Sequence, residues 1–504
     1  MKLIHITKCK MLDSIIHPSK QDYLDRRFII NEVMTTTKHW KQYLFWFAHE
    51  HVDFRVPEIK SILNMFNIST CAYPNRSCEE HPYWIVNLPS ENIAHQIASR
   101  AVSVRSCIEL WAHSKDYEDL HKKLRNYPIT EIKKYGGPQK SFKVIVETFC
   151  KHFSQSEKVN KIESFSYLPL EGPVKLDNPD TTLCYIEFYG LNPNKIPDKP
   201  YELFFGRWIT NGQRDLIQKL SLKTRKFIGN TSMDPQLSLI MANQAQVQKG
   251  DIVLDPFVGT GSLLVAASHF GGYTLGTDID YLMLHGRTRP TRKMQKIREK
   301  DESIAANMKQ YGTSSYYIDV VVSDFSVPLW RSDMTVDAII TDPPYGIREA
   351  TEKIGTTKLN PIIEEHQASS HIPSKIDYGL PEIYKDLLSF SAKHLKIKGR
   401  LVCWFPLFRD QYSENQLPNH PCLELIANSE QVLSNYTSRR LLTYIKTKDP
   451  KESDEIMCAN LTDFRTKYFA LRNESRKEKR LKKATEKAKK RELWEQNNKE
   501  NANR

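Results

Sequence analysis

The 504-residue chain has no apolar run that approaches the ~18 residues of a membrane-spanning helix. Its nine cysteines form no C-x-x-C pair, and the closest two, Cys71 and Cys78, have a spacing that fits no common zinc site. The first twenty residues lack a sustained apolar segment and a small-residue cleavage site. We therefore expect a cytoplasmic protein with reduced thiols and no bound metal.

Acidic residues are outnumbered, with 60 Asp and Glu against 73 Lys and Arg, so the net charge is +13 and the isoelectric point is about 9.1. Such a balance favours polyanionic partners, among them nucleic acid. Residues 471–504 contain thirteen Lys or Arg and six Glu, so this tail alone carries +7. A solvated helix or a disordered segment with no target explains the tail equally well. The charge is compatible with RNA binding without establishing it.

The pattern along the chain divides it into five parts. Residues 1–38 are expected to form a poorly ordered extension and 447–504 a charged tail. Residues 39–175 mix strands such as YLFWFA and YWIVNL with the helical segments PEIKSILNMF and ENIAHQIASRAVS, which predicts an α+β region. Residues 176–226 are rich in Pro, Asn and Asp and are expected to act as a linker.

In residues 227–446, strands alternate with helices, and the strands include DIVLDP, YTLGTDID, YYIDVVVSD, VDAIITDPPY and RLVCWFP. This alternation predicts an α/β domain with a parallel, doubly wound sheet. Ligands on this architecture bind outside the carboxyl ends of the strands. The glycine loop, the acidic residues after the second and third strands, and the DPPY segment each follow such a strand end.

The first of these strands ends in a loop that contains Asp255, Phe257, Gly259 and Gly261. Its glycines allow a tight turn and close approach to a ligand at a helix N-terminus. The loop has neither the third glycine of the dinucleotide fingerprint nor the Gly-Lys-Ser/Thr of a P-loop, so pyrophosphate is not favoured. Asp278 ends the second strand 23 residues after Asp255, where a carboxylate can accept hydrogen bonds from ribose. S-adenosylmethionine fits both features.

Three further residues are candidates for the same cofactor site. Asp280 either shares the ribose contact or caps the next segment. Asp324 follows the third strand and is a candidate acceptor for the adenine amino group, with helix capping as the alternative. Phe325 is a candidate to pack on the adenine ring.

The segment TDPPYGIRE leaves a β-branched strand through one carboxylate, two prolines and an aromatic ring. Proline has a fixed φ and no N–H, so Pro343 and Pro344 end the strand and stiffen its exit. An exocyclic amino group of a nucleobase is a poor nucleophile because its lone pair is conjugated with the ring. Asp342 and the Pro343 carbonyl can accept its hydrogens and aim the lone pair, while Tyr345 offers a stacking face. The segment predicts an amino methyltransferase.

These motifs resemble those of class I methyltransferases that carry (Asp/Asn)-Pro-Pro-(Tyr/Phe). The longer segments FFGRWITNGQR, FIGNTSMDPQLSLIMANQ, VLDPFVGTGSLL and TSRRLLT are similar to the catalytic subunits of eukaryotic tRNA guanine-10 N2-methyltransferases. The resemblance extends over roughly Gln42 to Tyr444. It implies a ferredoxin-like and THUMP region that binds tRNA, a Rossmann-like S-adenosylmethionine-dependent domain, and methyl transfer to the N2 amino group of guanosine 10.

The resemblance also implies a heterodimer with a small zinc-binding activator subunit. It places Ser232 at the entrance of the cofactor pocket, near the methionine carboxylate, although a helix N-cap accounts for Ser232 equally well. A basic run after the second strand, residues 287–296, either follows RNA phosphates or lies on a solvated helix. The rival functions are a DNA adenine or cytosine amino methyltransferase and a catalytically inactive RNA-binding scaffold.

Overall fold

The structure is a computed structural model that describes residues 40–68, 80–357, 373–456, 464–472 and 485. The chain divides into two compact units, residues 1–40 and 41–504, and of the first only Trp40 is described. The expected extension 1–38, both Cys71 and Cys78, and most of the charged tail lie outside the described residues.

The N-terminal region is built on a six-stranded sheet with the strand order β2-β1-β3-β6-β5-β4. Strands β4 and β5 are parallel and the other neighbours are antiparallel. The strands are β1 Lys41–Phe47, β2 Tyr83–Leu88, β3 Val104–Ser114, β4 Phe142–Phe149, β5 Thr181–Phe188 and β6 Glu202–Asn211. The helices are α1 Arg55–Met65, α2 Glu91–Ala98, α3 Tyr117–Arg125, α4 Ile129–Gly136, α5 Gln155–Glu163 and, after the last strand, α6 Asp215–Lys219. The predicted α+β character is confirmed.

The segment 176–226, expected to be a linker, instead contributes two strands to this sheet. Strand β6 pairs with β3 on one side and with β5 on the other, so it lies inside the sheet. Its side chains Leu203, Phe204 and Phe205 are almost fully buried. The stretches rich in Pro, Asn and Asp that suggested a linker are the loops on either side of β5, residues 171–180 and 189–201, and both lie between strands of this one sheet.

The C-terminal region is a seven-stranded sheet with the order β14-β15-β13-β10-β7-β8-β9. Its strands are β7 Ile252–Asp255, β8 Tyr273–Asp278, β9 Tyr317–Val322, β10 Val336–Thr341, β13 Leu395–Phe408, β14 Leu423–Val432 and β15 Thr437–Lys446, and a separate hairpin pairs β11 Glu352–Ile354 with β12 Lys375–Asp377. The helices are α7 Pro235–Gln244, α8 Ser262–His269, α9 Tyr281–Leu284, α10 Ile304–Gln310 and α11 Leu380–His394, and residues 464–472 are helical. Short 3-10 helices span Val52–Phe54, Ser314–Tyr316, Arg409–Gln411 and Glu414–Gln416.

The predicted parallel sheet needs one correction. Within the series β13-β10-β7-β8-β9 each adjacent pair of strands is parallel, but β15 is antiparallel to both β13 and β14. The reason is the short connection between β14 and β15, which leaves no room for the crossover that parallel strands require. Helices α7, α8 and α10 cover one face of the sheet and α11 covers the other, as a doubly wound domain requires.

A buried polar cluster joins the N-terminal region to the C-terminal sheet. The carboxylate of Glu58 on α1 accepts hydrogen bonds from the backbone N–H groups of Val102 and Ser103, at 2.8 and 2.9 Å. Asn243 on α7 donates through Nδ2 to Glu58 Oε1 at 2.7 Å and accepts from Arg100 Nε at 3.0 Å. Glu58 and Asn243 are both fully buried. The two regions are therefore held together by bonds that solvent does not reach.

No helix in the described ranges is long and apolar enough to cross a membrane. Five described cysteines are free thiols, namely Cys107, Cys150, Cys184, Cys403 and Cys422. Among the same residues, no three His, Cys, Asp or Glu side chains are grouped as a metal ion would require.

The polar cluster leads to a prediction about stability. Replacing Asn243 by Ala leaves the buried Glu58 carboxylate and the Arg100 guanidinium with fewer partners, and we expect a loss of about 2–4 kcal/mol in the free energy of unfolding. The measurement is urea unfolding followed by tryptophan fluorescence. Asn194→Ala, on an exposed loop, is the matched control and should change stability by less than about 0.5 kcal/mol. Equal stability of the two variants would contradict the prediction.

Candidate active site

Four predicted carboxylates lie along one edge of the C-terminal sheet. Asp255 and Asp278 are the last residues of β7 and β8, Asp342 directly follows the last residue of β10, and Asp324 is the second residue after β9. Since these four strands are parallel neighbours, their carboxyl ends meet at the same edge. The strand order thus brings together residues that are up to 87 positions apart in the sequence.

Asp255 connects the two central strand ends rather than pointing into open space. Its Oδ1 accepts a hydrogen bond from the Thr341 hydroxyl at 2.7 Å and another from the Phe257 backbone N–H at 3.1 Å. Asp255 is only 1% exposed, and burial raises its pKa to about 7. The side chain is thus a buried tie between the glycine loop and the segment that contains Asp342.

The glycine loop is held by Asp278. One oxygen of its carboxylate accepts from the Gly259 N–H at 2.8 Å, and the other accepts from the Asp280 N–H at 2.9 Å. Both loop glycines have positive φ, +50° at Gly259 and +75° at Gly261, which favours glycine over other residues. A Cβ on Gly261 would lie 2.8 Å from the Ile304 side chain, whereas one on Gly259 would meet nothing within 4 Å. The loop therefore presents open space at Gly259, and burial raises the pKa of Asp278 to about 6.

The other candidate cofactor residues surround this loop. Asp280 caps α9 by accepting from the Met283 N–H at 3.0 Å, so the capping alternative is realised. Asp324 accepts from the backbone N–H groups of Ser326 and Ile354, at 2.8 and 2.5 Å. The alternative that Asp324 caps a helix is wrong, because no helix follows it among the described residues up to Val336. Its contact with Ile354 instead connects it to the β11–β12 hairpin.

The predicted aromatic residues lie next to each other. The rings of Phe257 and Phe325 have centroids 4.9 Å apart, and the ring of Phe325 also lies 5.2 Å from that of Phe390 on α11. They form an apolar wall between the glycine loop and the β9 end of the sheet. An aromatic ligand at this edge would have a surface on which to pack.

Ser232 does not cap a helix, so that alternative is wrong. The N-cap of α7 is Asp234, whose carboxylate accepts from the backbone N–H groups of Gln236 and Leu237. The hydroxyl of Ser232 lies 2.6 Å from the Thr260 hydroxyl and accepts from the Gly229 N–H at 2.8 Å. It fastens the loop before α7 to the glycine loop.

The carboxylate of Asp342 has a partner at each oxygen. Oδ1 accepts a hydrogen bond from the Tyr345 hydroxyl, and Oδ2 accepts from Arg439 Nη1 at 3.0 Å. The Asp342 side chain is 22% exposed, so a substrate can reach it, and the adjacent Pro343 is buried. Burial raises the pKa of Asp342 to about 6 against the lowering effect of Arg439.

Arg439 is the site residue that the sequence interpretation missed. It lies on β15, which is distant in the sequence, and its guanidinium carbon is 4.0 Å from the centroid of the Trp404 ring. One signal was present: Arg439 and Arg440 are consecutive in a strand, so their side chains point to opposite faces. One of the two therefore had to face the packed side of the sheet and find a partner there.

The basic run after β8 lies in an irregular loop, so the alternative of a solvated helix is wrong. Residues 285–303 contain no helix. Arg292 donates to the backbone carbonyls of Arg225 and Lys226, and Arg298 donates to the backbone carbonyl of Ile228 at 3.1 Å. These two arginines bind the loop to the protein itself.

The fold and the site define a class I methyltransferase domain that follows a THUMP domain. Residues 41–214 match the family model described as the Tmrp11 THUMP N-terminal domain, and residues 223–366 match the RMKL-like methyltransferase domain. The crystal structure of TrmN from Thermus thermophilus covers 80% of this chain and 99% of that chain, at 17% identity and a TM-score of 0.39.

Curated relatives identify the family. The chain is 46% identical over 438 residues to the tRNA (guanine(10)-N(2))-methyltransferase TRMT11 of Bos taurus, which covers 85% of this chain and 95% of the relative. The Homo sapiens protein of the same name is 46% identical over 441 residues, with the same coverage. That of Dictyostelium discoideum is 36% identical over 446 residues, covering 82% and 83%. The chain belongs to the TRMT11 family, and the resemblance found in the motifs is confirmed.

The Asp255–Thr341 bond gives a prediction with a defined pH dependence. The folded pKa of Asp255 is raised, so its ionisation costs stability as pH rises towards about 7, and the Thr341 hydroxyl limits that cost. Thr341→Val should lower the free energy of unfolding by about 1–3 kcal/mol at about pH 8 and by less at about pH 5.5. Urea unfolding at the two pH values measures the difference.

Thr443→Val is the matched control. Thr443 is also fully buried, but its hydroxyl donates to the neutral side chain of Gln244 at 2.7 Å. Its loss should cost similar stability at both pH values. The same pH dependence in the two variants would show that Asp255 is not the cause.

Proposed function

We propose that the chain transfers a methyl group from S-adenosylmethionine to the N2 amino group of guanosine 10 in tRNA, as the catalytic subunit of a cytoplasmic heterodimer. The observation that carries the proposal is the reachable carboxylate of Asp342, set in DPPY at a strand end beside the glycine loop. The substrate is the one in the names of relatives that are 46% identical over 85% of the chain. The alternatives are a DNA amino methyltransferase and a catalytically inactive RNA-binding scaffold, and an assay of methyl transfer to tRNA and DNA distinguishes them.

The residues at the strand ends fit S-adenosylmethionine. The open space at Gly259 and the absence of a P-loop suit a methionine moiety rather than a pyrophosphate. Asp278, with its raised pKa, is a carboxylate that ribose hydroxyls would stabilise. The pair of Phe257 and Phe325 suits the adenine ring, with Asp324 beside it. The cofactor supplies an electrophilic methyl group, and these residues would hold and orient it.

Asp342 and Pro343 would activate the amino group. N2 of guanine is conjugated with the ring, so it becomes a better nucleophile when two acceptors take its hydrogens out of the ring plane. Asp342 Oδ1 and the Pro343 carbonyl are the proposed acceptors, in a partly buried setting where such bonds are strong. A base stacked on the Tyr345 ring would lie beside the carboxylate, because the Tyr345 hydroxyl is bonded to it. The proton that N2 loses would pass to Asp342 or to solvent.

We propose residues 41–214 as the part that binds tRNA, through its ferredoxin-like and THUMP elements. The support is the match to the THUMP family model and the buried Glu58–Asn243 cluster. Because that cluster allows little relative movement, RNA held by the N-terminal sheet would meet the active site at a constant distance. The target nucleotide would then be selected partly by its distance from the bound end of the RNA.

The edge strand β9 is the proposed docking site for a small zinc-binding activator subunit. Among the described strands it pairs only with β8, which leaves its outer edge open. Ile318, Val321 and Val322 on this strand are 54%, 41% and 39% exposed, and Val327 and Leu329 beyond it are similarly exposed. An open edge with apolar side chains on both faces suits a partner that adds a strand and covers them.

Methyl transfer to tRNA tests the main proposal. Tritiated S-adenosylmethionine is supplied to the chain co-expressed with the activator, together with unmodified tRNA or the same tRNA in which guanosine 10 is replaced by adenosine. We expect label only in the tRNA with guanosine. Asp342→Ala should lower the rate by at least about 10³-fold while the affinity for S-adenosylmethionine changes only a few-fold, because Asp342 contacts the amino group rather than the cofactor.

The remaining outcomes separate the rivals. Label in duplex DNA but not in tRNA would favour the DNA enzyme. Binding of tRNA without label in the presence of the activator would favour the scaffold. Unchanged turnover in Asp342→Ala would refute the catalytic role of this carboxylate.

The docking proposal has its own test at the two edges of the C-terminal sheet. Val321→Lys places a charge on the proposed interface and should abolish co-purification of the activator, because the partner would have to bury that charge. Val432→Lys on β14, at the opposite edge, is the matched control, since Val432 is 54% exposed. Loss of the activator from both variants, or from neither, would contradict this assignment of the edge.

A further inference from the structure

Arg439 is held by contacts with four side chains. Its side chain is 13% exposed, and Nη1 donates to Asp342 Oδ2 at 3.0 Å. Nε donates to Gln431 Oε1 on the neighbouring strand β14 at 2.7 Å. Nη2 lies 3.5 Å from the sulfur of Met233, and the Trp404 ring supports the guanidinium carbon at 4.0 Å. A side chain with this many contacts has little rotational freedom left to lose.

Its neighbour in the sequence is used differently. Arg440 points to the opposite face of β15, where its guanidinium carbon is 4.0 Å from the centroid of the Tyr412 ring and Nε donates to Asn428. It therefore repeats the aromatic and amide contacts of Arg439, but no carboxylate in the described part of the chain pairs with it. The comparison isolates the bond to Asp342 as the feature that distinguishes Arg439.

We propose that Arg439 is a positioning residue for methyl transfer, which holds Asp342 Oδ2 so that Oδ1 is directed at the incoming amino group. The proposal rests on the function proposed above. In this structure Oδ1 accepts a hydrogen bond from the Tyr345 hydroxyl. Arrival of the base would exchange that hydroxyl for an amino hydrogen, while the bond from Arg439 keeps the carboxylate from rotating.

The charges around Asp342 give the proposal a measurable signature. The titratable and charged groups that face it are Arg439 from β15, Asp255 from β7, Cys403 from β13, and Tyr345 and Glu349 from its own loop. Burial raises the pKa of Asp342 to about 6, Glu349 raises it and Arg439 lowers it. Without Arg439 the carboxyl group would hold its proton to higher pH, and the acid limb of the rate profile would move upward.

The experiment compares Arg439→Met with Arg440→Met in the co-expressed heterodimer, with kcat and KM for tRNA and for S-adenosylmethionine measured across the pH range. For Arg439→Met we expect kcat to fall about 10–100-fold near neutral pH and the acid limb to move up by about one pH unit, with both KM values changed only a few-fold. Arg439→Lys should restore part of kcat and return the acid limb towards that of the natural chain. Arg440→Met should leave the acid limb in place.

Three results would overturn the proposal: an unchanged kcat in Arg439→Met, an equal fall in Arg440→Met, or an acid limb that does not move. Absence of methyl transfer by the natural heterodimer would instead refute the proposed function. In that case the melting temperatures of Arg439→Met, Asp342→Asn and the double variant would test whether Arg439 and Asp342 interact. Non-additive shifts would support the coupling, and additive shifts would refute it.

Discussion

The hydrogen bond from Thr341 to Asp255 is the constraint on which the site depends. It joins the ends of β10 and β7, strands that are adjacent in space and 86 residues apart in the sequence. The glycine loop begins directly after Asp255, and the Asp342 loop begins directly after Thr341. Both partners are buried and the bond is 2.7 Å long, so it fixes the starting points of the two loops relative to each other. The distance between the proposed cofactor loop and the proposed catalytic carboxylate follows from that anchor.

Burial of several carboxylates at one sheet edge has an energetic cost. The pKa values of Asp255, Asp278 and Asp342 are all raised, to between about 6 and about 7. Each of these groups makes the folded chain less stable as pH rises towards its folded pKa. The same partial removal from water strengthens the hydrogen bonds that they can accept. Backbone N–H groups, the Thr341 hydroxyl and the Arg439 guanidinium offset part of the cost, and they also orient the oxygens.

The N-terminal region contributes through its rigid attachment. Glu58 and Asn243 lie in the junction, and Arg400 adds a second contact by donating to the Ser61 hydroxyl and to the Gln244 carbonyl. A junction that consists of buried polar bonds is specific in geometry, since a displaced partner would leave a buried group unsatisfied. A THUMP domain attached in this way places its surface at a constant distance from the carboxylates. The two regions therefore form one compact unit.

The local signals in the sequence were enough for the α/β class, the strand-end positions of Asp255, Asp278, Asp324 and Asp342, and the glycine loop. Each of these follows from periodicity and loop chemistry within a few residues. Other features needed the folded chain. The linker at 176–226 proved to hold two sheet strands, Asp234 rather than Ser232 caps α7, and Arg439 reached Asp342 from 97 positions away. Local pattern determines which residues can occupy a strand end or a cap. Long-range packing alone decides how the strands pair, and therefore which buried charged side chains contact each other. Those contacts exist only when the sheets have formed.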